Sequence, residues 1–377
     1  MNGVTRKVLV TGANGFVGKN LTVHLLEQEG VEIVPFTRDN APDELERLVG
    51  EADAVVHLAG ENRPEDDSAF DAVNHQLTRH LCEAMRTQWC DHQRKPTMIY
   101  ASSAQAELDN LYGKSKLAGE RAVEALAKET EIPCIVFRFT GIFGKWCKPG
   151  YNSVVATFCH NIARDIPLRI DDPAAALELV YIDDVVSAIQ TALDGPKDGY
   201  QLREVTPVYR TSVGALAEHI YGFAHGRRTL HVGRVGEGFQ RALYATFINA
   251  LPQEQFSYSI PAHRDPRGVF VEMLKTPDVG QFSFLTALPG VTRGGHYHHT
   301  KTEKFLVIRG KASFGFRHLL TGERLELVTE GDQPQVVQTI PGWSHDITNI
   351  GSEELIVMLW ANEIFDRQRP DTVVSEV

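Results

Sequence analysis

The sequence predicts an α/β domain built on a doubly wound parallel sheet, followed by an all-β domain. Three observations predict it. Short apolar runs alternate with helical patterns over roughly the first 250 residues, and a glycine-rich loop follows the first run. After that the apolar periodicity changes to two.

KVLVTG (7–12) has the composition of a buried strand. Val17, Leu21, Leu25 and Leu26 put a helical stripe on residues 16–29. VEIVPF (31–36), DAVVHLAG (53–60), TMIYASS (97–103) and PCIVFRFTG (133–141) continue the strand series. The pattern fades through GRVGEG and ALPQEQ, which places the domain boundary near 250, with domains 1–250 and 251–377. Beyond it FVEMLK, QFSFLTALPG, KFLVIRGKASFGFR, ERLELV, VVQTIPG and EELIVMLWA are strand-like runs separated by turn residues, a barrel or sandwich signature.

Composition bounds the function. With 42% hydrophobic and 23% charged residues in 377, the chain is globular rather than disordered or fibrous. No run approaches the roughly 18 apolar residues of a membrane span, and the apolar run after Arg6 and Lys7 is too short for a signal peptide. Five cysteines without a C-x-x-C pair predict neither a disulfide framework nor a thiolate zinc site, so a reduced, cytoplasmic protein is expected. A net charge of −11 argues against a nucleic-acid partner.

In TGANGFVG (11–18), Gly12, Gly15 and Gly18 stand between a strand and a helix. Glycines there permit a tight turn and close approach of the backbone to a pyrophosphate, whose charge the helix N-terminus favours. FTRD (36–39) follows the second strand; Arg38 suits a 2′-phosphate and Asp39 a ribose, and the balance favours NADPH over NADH. In LYGKSK (111–116), Tyr112 and Lys116 share one helix face. A nearby ammonium is expected to lower the phenol pKa and suit it to proton exchange with a carbinol. Ser102 and Ser103 end the preceding strand, where a hydroxyl can hold the substrate oxygen.

These features together resemble the extended short-chain dehydrogenases/reductases that act on nucleotide sugars, a Rossmann-type family. The resemblance assigns the cofactor to Gly12, Asn14, Gly15, Phe16, Val17, Gly18 and Arg38, and to Leu58, Ala59 and Gly60 of HLAG. It assigns proton transfer to Tyr112 and Lys116, with Ser103 the better match for the family serine and Ser102 the alternative. Only eight residues separate Ser103 from Tyr112, a short connection for this family, so an unusual sugar pocket is expected. GKWCKPGYNSVV (144–155) occupies the place where relatives hold the nucleotide diphosphate, which makes Lys145, Lys148 and Asn152 candidates.

In GVTRGGHYHHTKTEKFLVIRG (290–310), His296 and His298 are two apart and point to one face of a strand. Glu303 is expected on the next strand, and His345 in PGWSHDITN adds a third imidazole. Three imidazoles and a carboxylate suit a divalent first-row metal. The segment resembles the cupin (jelly-roll barrel) family: Gly290, His296, His298, Glu303 and Gly310 fit its first motif, and Gly342, His345 and Asn349 its second, with the usual proline displaced to Pro341. Zinc is the expected metal, ahead of manganese, iron and nickel. HRDPRGVFVEML (263–274) resembles the entry strand of deoxysugar epimerase cupins, with Arg264 and Arg267 as substrate-phosphate candidates. Tyr297, His299 and Lys301 are candidates for the epimerisation base.

The whole arrangement resembles the bifunctional enzymes of capsular polysaccharide and O-antigen synthesis, typically dimers. That resemblance implies C3 epimerisation of a UDP-linked 4-keto-6-deoxy-N-acetylhexosamine in the cupin. NADPH-dependent reduction of the C4 ketone would follow, giving UDP-2-acetamido-2,6-dideoxy-L-talose. Two other readings stay open. One is a ketoreductase with a structural zinc cupin as its dimerisation module, and the other a non-enzymatic redox or sugar sensor.

Overall fold

The computed structural model describes residues 5–41, 43–195, 199–265, 268–271, 273–274, 276, 280–363 and 368–377. The α/β part contains β1 (Arg6–Thr11), α1 (Phe16–Leu26), β2 (Val31–Phe36), α2 (Glu44–Glu51), β3 (Ala54–His57), α3 (Leu77–His92), β4 (Thr97–Ser103), α4 (Leu111–Thr130), β5 (Cys134–Phe139) and β6 (Gly141–Phe143). After it come α5 (Val154–Ile162), β7 (Ala176–Tyr181), α6 (Ile182–Asp194), β8 (Tyr200–Arg203), β9 (Tyr209–Ser212), α7 (Val213–Thr229) and α8 (Gly238–Asn249). The remaining strands are β10 (Ser257–Ser259), β11 (Ala262–Asp265), β12 (Gly268–Val271), β13 (Gln281–Ala287), β14 (Thr292–Tyr297), β15 (Glu303–Arg309), β16 (Lys311–His318), β17 (Arg324–Glu330), β18 (Gln335–Gln338), β19 (Trp343–Asn349), β20 (Leu355–Ala361) and β21 (Val373–Val374). Among the described residues no helix is long and apolar enough to cross a membrane.

The residues form two compact units: Met1–Ser153 with Leu177–Arg210, and Val154–Ala176 with Thr211–Val377. The first carries a six-stranded parallel sheet in the order β2-β1-β3-β4-β5-β8. Helices α2, α3 and α4 pack side by side, and α1 packs on α6, giving the doubly wound arrangement. The central strands are buried on both faces, which is why β3 reads Ala-Val-Val-His with no alternation. The chain leaves β1 for β2 on one side and returns to β3 on the other. Ligands of such sheets bind in the crevice at this reversal, beyond the carboxyl ends of the strands.

The second unit carries α5, α7, α8 and two five-stranded sheets, β10-β18-β15-β20-β13 and β17-β16-β19-β14-β21. The strand pairs within them are antiparallel. Phe305 of β15 meets Phe314 of β16 across the interior at 5.6 Å, ring centre to ring centre. Phe256, just before β10, contacts both Phe316 and Trp343 edge-on. This is the all-β fold expected from the period-two runs.

His57 ends β3 as a fully buried strut. Its Nδ1 is 2.6 Å from Thr11 Oγ1, its Nε2 is 2.8 Å from Thr78 Oγ1, and its ring stacks on Tyr100. Burial, helped by the charge of Lys116, pushes its pKa down to about 3. Its folded pKa lies below its unfolded value, so its contribution is complete above about pH 6.5. It is lost as the pH falls toward about 3, because the unfolded chain takes up the proton first. Between pH 7 and 5.5, His57 should cost the α/β unit about 1 kcal/mol. Guanidinium midpoints of the wild type and His57→Gln over this interval test it: the variant should show the shallower slope, and parallel curves would contradict the assignment.

Candidate functional sites

The first site forms at the carboxyl ends of β1, β3 and β4. Gly12 has φ of +69°, and a Cβ there would lie 2.7 Å from the Ala59 backbone nitrogen. A Cβ on Gly18 would lie 2.3 Å from the Gly12 carbonyl oxygen. The glycines therefore allow the β1–α1 turn to close on both the Leu58–Ala59 backbone and its own helix. Thr11 Oγ1 accepts from the Ala59 amide at 3.2 Å and fixes that approach. Asn14 and Gly15 are exposed, and Phe16 and Val17 half-buried, so the helix N-terminus is open to an anion. Arg38 is 88% exposed and pairs with Glu61 at 3.2 Å. Glu61 also accepts from Tyr151 at 2.9 Å.

The N-terminal turn of α4 is fixed by Asn110, whose side chain caps the Gly113 amide at 2.7 Å. A Cβ on Gly113 would collide with the Gln105 carbonyl, 2.2 Å away, so glycine lets this turn sit against the loop after β4. That packing brings Tyr112, Lys116 and Ser103 together. Ser103 hydrogen-bonds the Tyr112 phenol, whereas Ser102 donates to Glu120 at 2.5 Å, so Ser103 is the serine turned to the tyrosine.

Two expectations need correcting. Burial raises the Tyr112 pKa, with only Ser103 opposing it, so the phenol is not made acidic by Lys116. Lys116 is itself buried, donates to the Ala101 carbonyl at 2.9 Å and lies over the Tyr100 ring. Burial lowers its pKa to about 8, against the pull of Glu120. Likewise, Lys145 is buried and bonded to Asp183 at 2.7 Å, which removes it from the phosphate candidates, while Lys148 and Asn152 are exposed. Arg264 is described only by its place on β11, and Arg267 lies outside the described residues.

Asn74 is a site residue the sequence did not single out. It is buried beside Gly60; its side chain accepts from the Glu61 amide at 2.8 Å and donates to Ser115 at 3.0 Å. It thereby joins the loop after β3 to α4.

The second site lies in the interior of the all-β fold. His296 on β14 is directly opposed to His345 on β19, and Glu303 enters from β15 on the other sheet. The ring centres of His296, His298 and His345 are 4.7–5.1 Å apart. Glu303 Oε2 is 3.3 Å from His298 Nε2 and 3.4 Å from His345 Nε2. Ligands about 2.1 Å from a tetrahedrally bound ion would be about 3.4 Å apart, so these separations fit a first-row cation. His345 Nε2 is buried and, among the described residues, meets only the Glu303 carboxylate, a contact that a shared ion would bridge. Burial, with its imidazole neighbours, lowers His296 to about 4, and burial also lowers His345. Burial opposes ionisation of Glu303, but bonds to His298 and His345 hold its pKa well below the usual range. Neutral imidazoles beside a carboxylate are the protonation states a divalent cation takes.

Asp371, also absent from the sequence reading, organises this set. Its carbonyl accepts from His298 Nδ1, which leaves Nε2 for the ion. Its carboxylate accepts from the amides of His299, Thr300 and Lys301 at 2.7–2.8 Å. Burial opposes its charge, but His298, His299 and the amide bonds bring its pKa to about 2. Among the base candidates, Lys301 Nζ lies 3.6 Å from Glu303 Oε1. Tyr297, between His296 and His298 in sequence, is buried and meets the His299 ring.

Residues 8–205 match the NAD dependent epimerase/dehydratase family and residues 263–373 the polysaccharide biosynthesis C-terminal domain. The chain is 53% identical to a UDP-2-acetamido-2,6-beta-L-arabino-hexul-4-ose reductase of Pseudomonas aeruginosa, over 98% of this chain and 99% of that one. It resembles the crystal structure of the capsular polysaccharide assembling protein CapF from Staphylococcus aureus (TM-score 0.66, 39% identity), with 98% of this chain and 100% of that one covered. A UDP-glucuronic acid 4-epimerase from Bacillus cereus, in complex with NAD, shares the fold of the first part (TM-score 0.52, 21% identity, 58% of this chain and 84% of that one).

Asp371→Ala should free the 299–301 loop, loosen the main chain whose carbonyl holds His298, and weaken zinc affinity about 10–100-fold. Competitive titration against a chromogenic chelator measures it; unchanged affinity would remove Asp371 from the site.

Proposed function

Because the chain belongs to the NAD dependent epimerase/dehydratase family, we propose that it reduces the 4-keto group of a UDP-linked 2-acetamido-2,6-dideoxyhexulose, in capsule or O-antigen synthesis. The observation that carries this reading is the meeting of Ser103, Tyr112 and Lys116 at the end of the sheet that holds the glycine loop. NADPH, when bound against Gly12–Gly18 and Leu58–Gly60, supplies the hydride. Arg38, exposed and beside Glu61, would pair with its 2′-phosphate. Tyr112 gives its proton to the C4 oxygen as the ketone becomes a carbinol. The phenol is protonated at neutral pH, as the proton donor of a reduction must be. Ser103 orients the phenol and the substrate oxygen, and Lys116 holds a positive charge behind them.

We propose further that the all-β domain epimerises C3 before reduction, giving the talose-configured product. His296, His298, Glu303 and His345 would hold a divalent metal, with zinc the expected ion, that supplies Lewis acidity toward the keto group. Lys301, beside Glu303, adds positive charge where the substrate becomes negative after loss of the C3 proton. A structural metal is a second reading, favoured by the burial of His298, Glu303 and His345. A cytoplasmic homodimer is part of this proposal, from the cysteine usage and from the resemblance to bifunctional capsule enzymes.

Tyr112→Phe should lower the rate of ketone reduction about 10²–10⁴-fold while leaving the NADPH dissociation constant unchanged. Arg38→Ala should raise the KM for NADPH and leave that for NADH unchanged. Stopped-flow absorbance and fluorescence titration read both. Near-normal reduction by Tyr112→Phe would refute the catalytic assignment, and equal effects on both cofactors would refute the 2′-phosphate contact.

A further inference from the structure

Glu303 and Lys304 are neighbours on β15, so they point to opposite faces of the sheet. Glu303 faces the metal ligands. Lys304 faces outward, with Gln338 and Trp360 as its cross-strand partners. It is 2% exposed, and its ammonium donates to the Tyr258 phenol at 2.5 Å. The same ring carries the Arg227 guanidinium at 4.6 Å from its centre and Lys304 Nζ at 5.1 Å. Arg227, on α7, donates to the Gln338 side chain and the Gln255 carbonyl.

Every acceptor of these two side chains is neutral, and burial, with the Arg227 charge beside it, lowers the Lys304 pKa to about 7. Among the described residues neither forms an ion pair with a carboxylate, and Glu218, on the same cavity wall, is exposed and pairs with neither. A guanidinium does not shed its proton in a protein. Lys304 is therefore only partly protonated at neutral pH, because two cations on one phenol repel each other and holding them out of water without a counter-charge is costly. An anion between them would offset both costs. There is room for one: a cavity of about 760 Å³ is lined by Arg227 and Lys304 together with Tyr244, His219, Gln240 and Phe223. That volume is within the range of small-molecule sites.

We propose that this cavity, on the opposite face of the sheet from the metal ligands, is a second binding site, and that it takes the phosphate group of a small molecule. The phosphate sits between Arg227 and Lys304, and the aromatic wall of Phe223 and Tyr244 receives whatever the phosphate carries. The site is independent of the reductase and epimerase assignments, because it shares no residue with either.

Thermal unfolding of the full chain, with inorganic phosphate or UMP against chloride at equal ionic strength, tests it. Phosphate should raise the wild-type Tm saturably. Lys304→Met should match or exceed the wild-type Tm in chloride, since it removes a buried amine whose protonation is costly, and should lose the phosphate response. Arg227→Met is the second variant, with the same loss expected. A larger saturable shift with UMP than with phosphate, abolished by both substitutions, identifies a nucleotide as the source of the phosphate. Equal, saturable shifts identify free phosphate as sufficient. Shifts that persist in both variants, or no wild-type shift with either probe, overturn the proposal.

Discussion

Glu303 is the constraint on which the all-β half depends. It is a buried carboxylate, and burial alone would neutralise it. It stays ionised because His298 and His345 converge on one of its oxygens from outside its own strand. The two sheets are thus joined in their interior by polar groups where Phe305 and Phe314 join them by apolar ones. The set is held in place from a distance: Asp371, near the end of the chain, fixes the His298 tautomer and clamps the following loop. Thr339 accepts from the Glu303 amide at 2.8 Å and ties the start of β15 to the end of β18. A cation would complete a charge pattern that the protein has already arranged.

The α/β half solves a different problem, the close approach of backbone to backbone. Gly12 packs on Leu58–Ala59 and Gly113 on the loop after β4, and neither contact leaves room for a side chain. These contacts place an open helix N-terminus and the Tyr112 phenol at the same edge of the sheet. Three buried polar groups beneath them are paired. His57 bridges Thr11 and Thr78, Asn74 bridges Glu61 and Ser115, and Glu120 takes Ser102 and Arg138. Satisfied networks of this kind hold a site rigid, whereas an unpaired member would be expensive.

Much of this was legible in the sequence because it is local. Glycines three apart, a tyrosine and lysine four apart, and two histidines two apart carry their geometry in their spacing. His345 was legible through its own glycine and asparagine. Asp371 and Asn74 were not, because their roles depend on pairings across 13 to 73 residues that no short spacing records. The Tyr112 pKa was misread for a related reason. Helix periodicity puts Lys116 on the same face as the phenol, but the folded chain buries the phenol and turns the ammonium to Ala101 and Tyr100. Lys145 fails as a phosphate ligand because Asp183, 38 residues away, takes it into the interior.

The two halves make chemical sense together. A keto group at C4 acidifies the C3 hydrogen, so a freely reversible epimerisation becomes productive once the ketone is reduced. The most direct test is to incubate the purified, metal-loaded protein in heavy water with a UDP-linked 4-keto-6-deoxy-N-acetylhexosamine, without NADPH, and to follow the C3 proton by NMR. The account predicts exchange that survives Tyr112→Phe and disappears in His296→Ala. Absence of exchange in the wild type, with NADPH consumed once it is added, would contradict it and leave a ketoreductase joined to a structural metal domain.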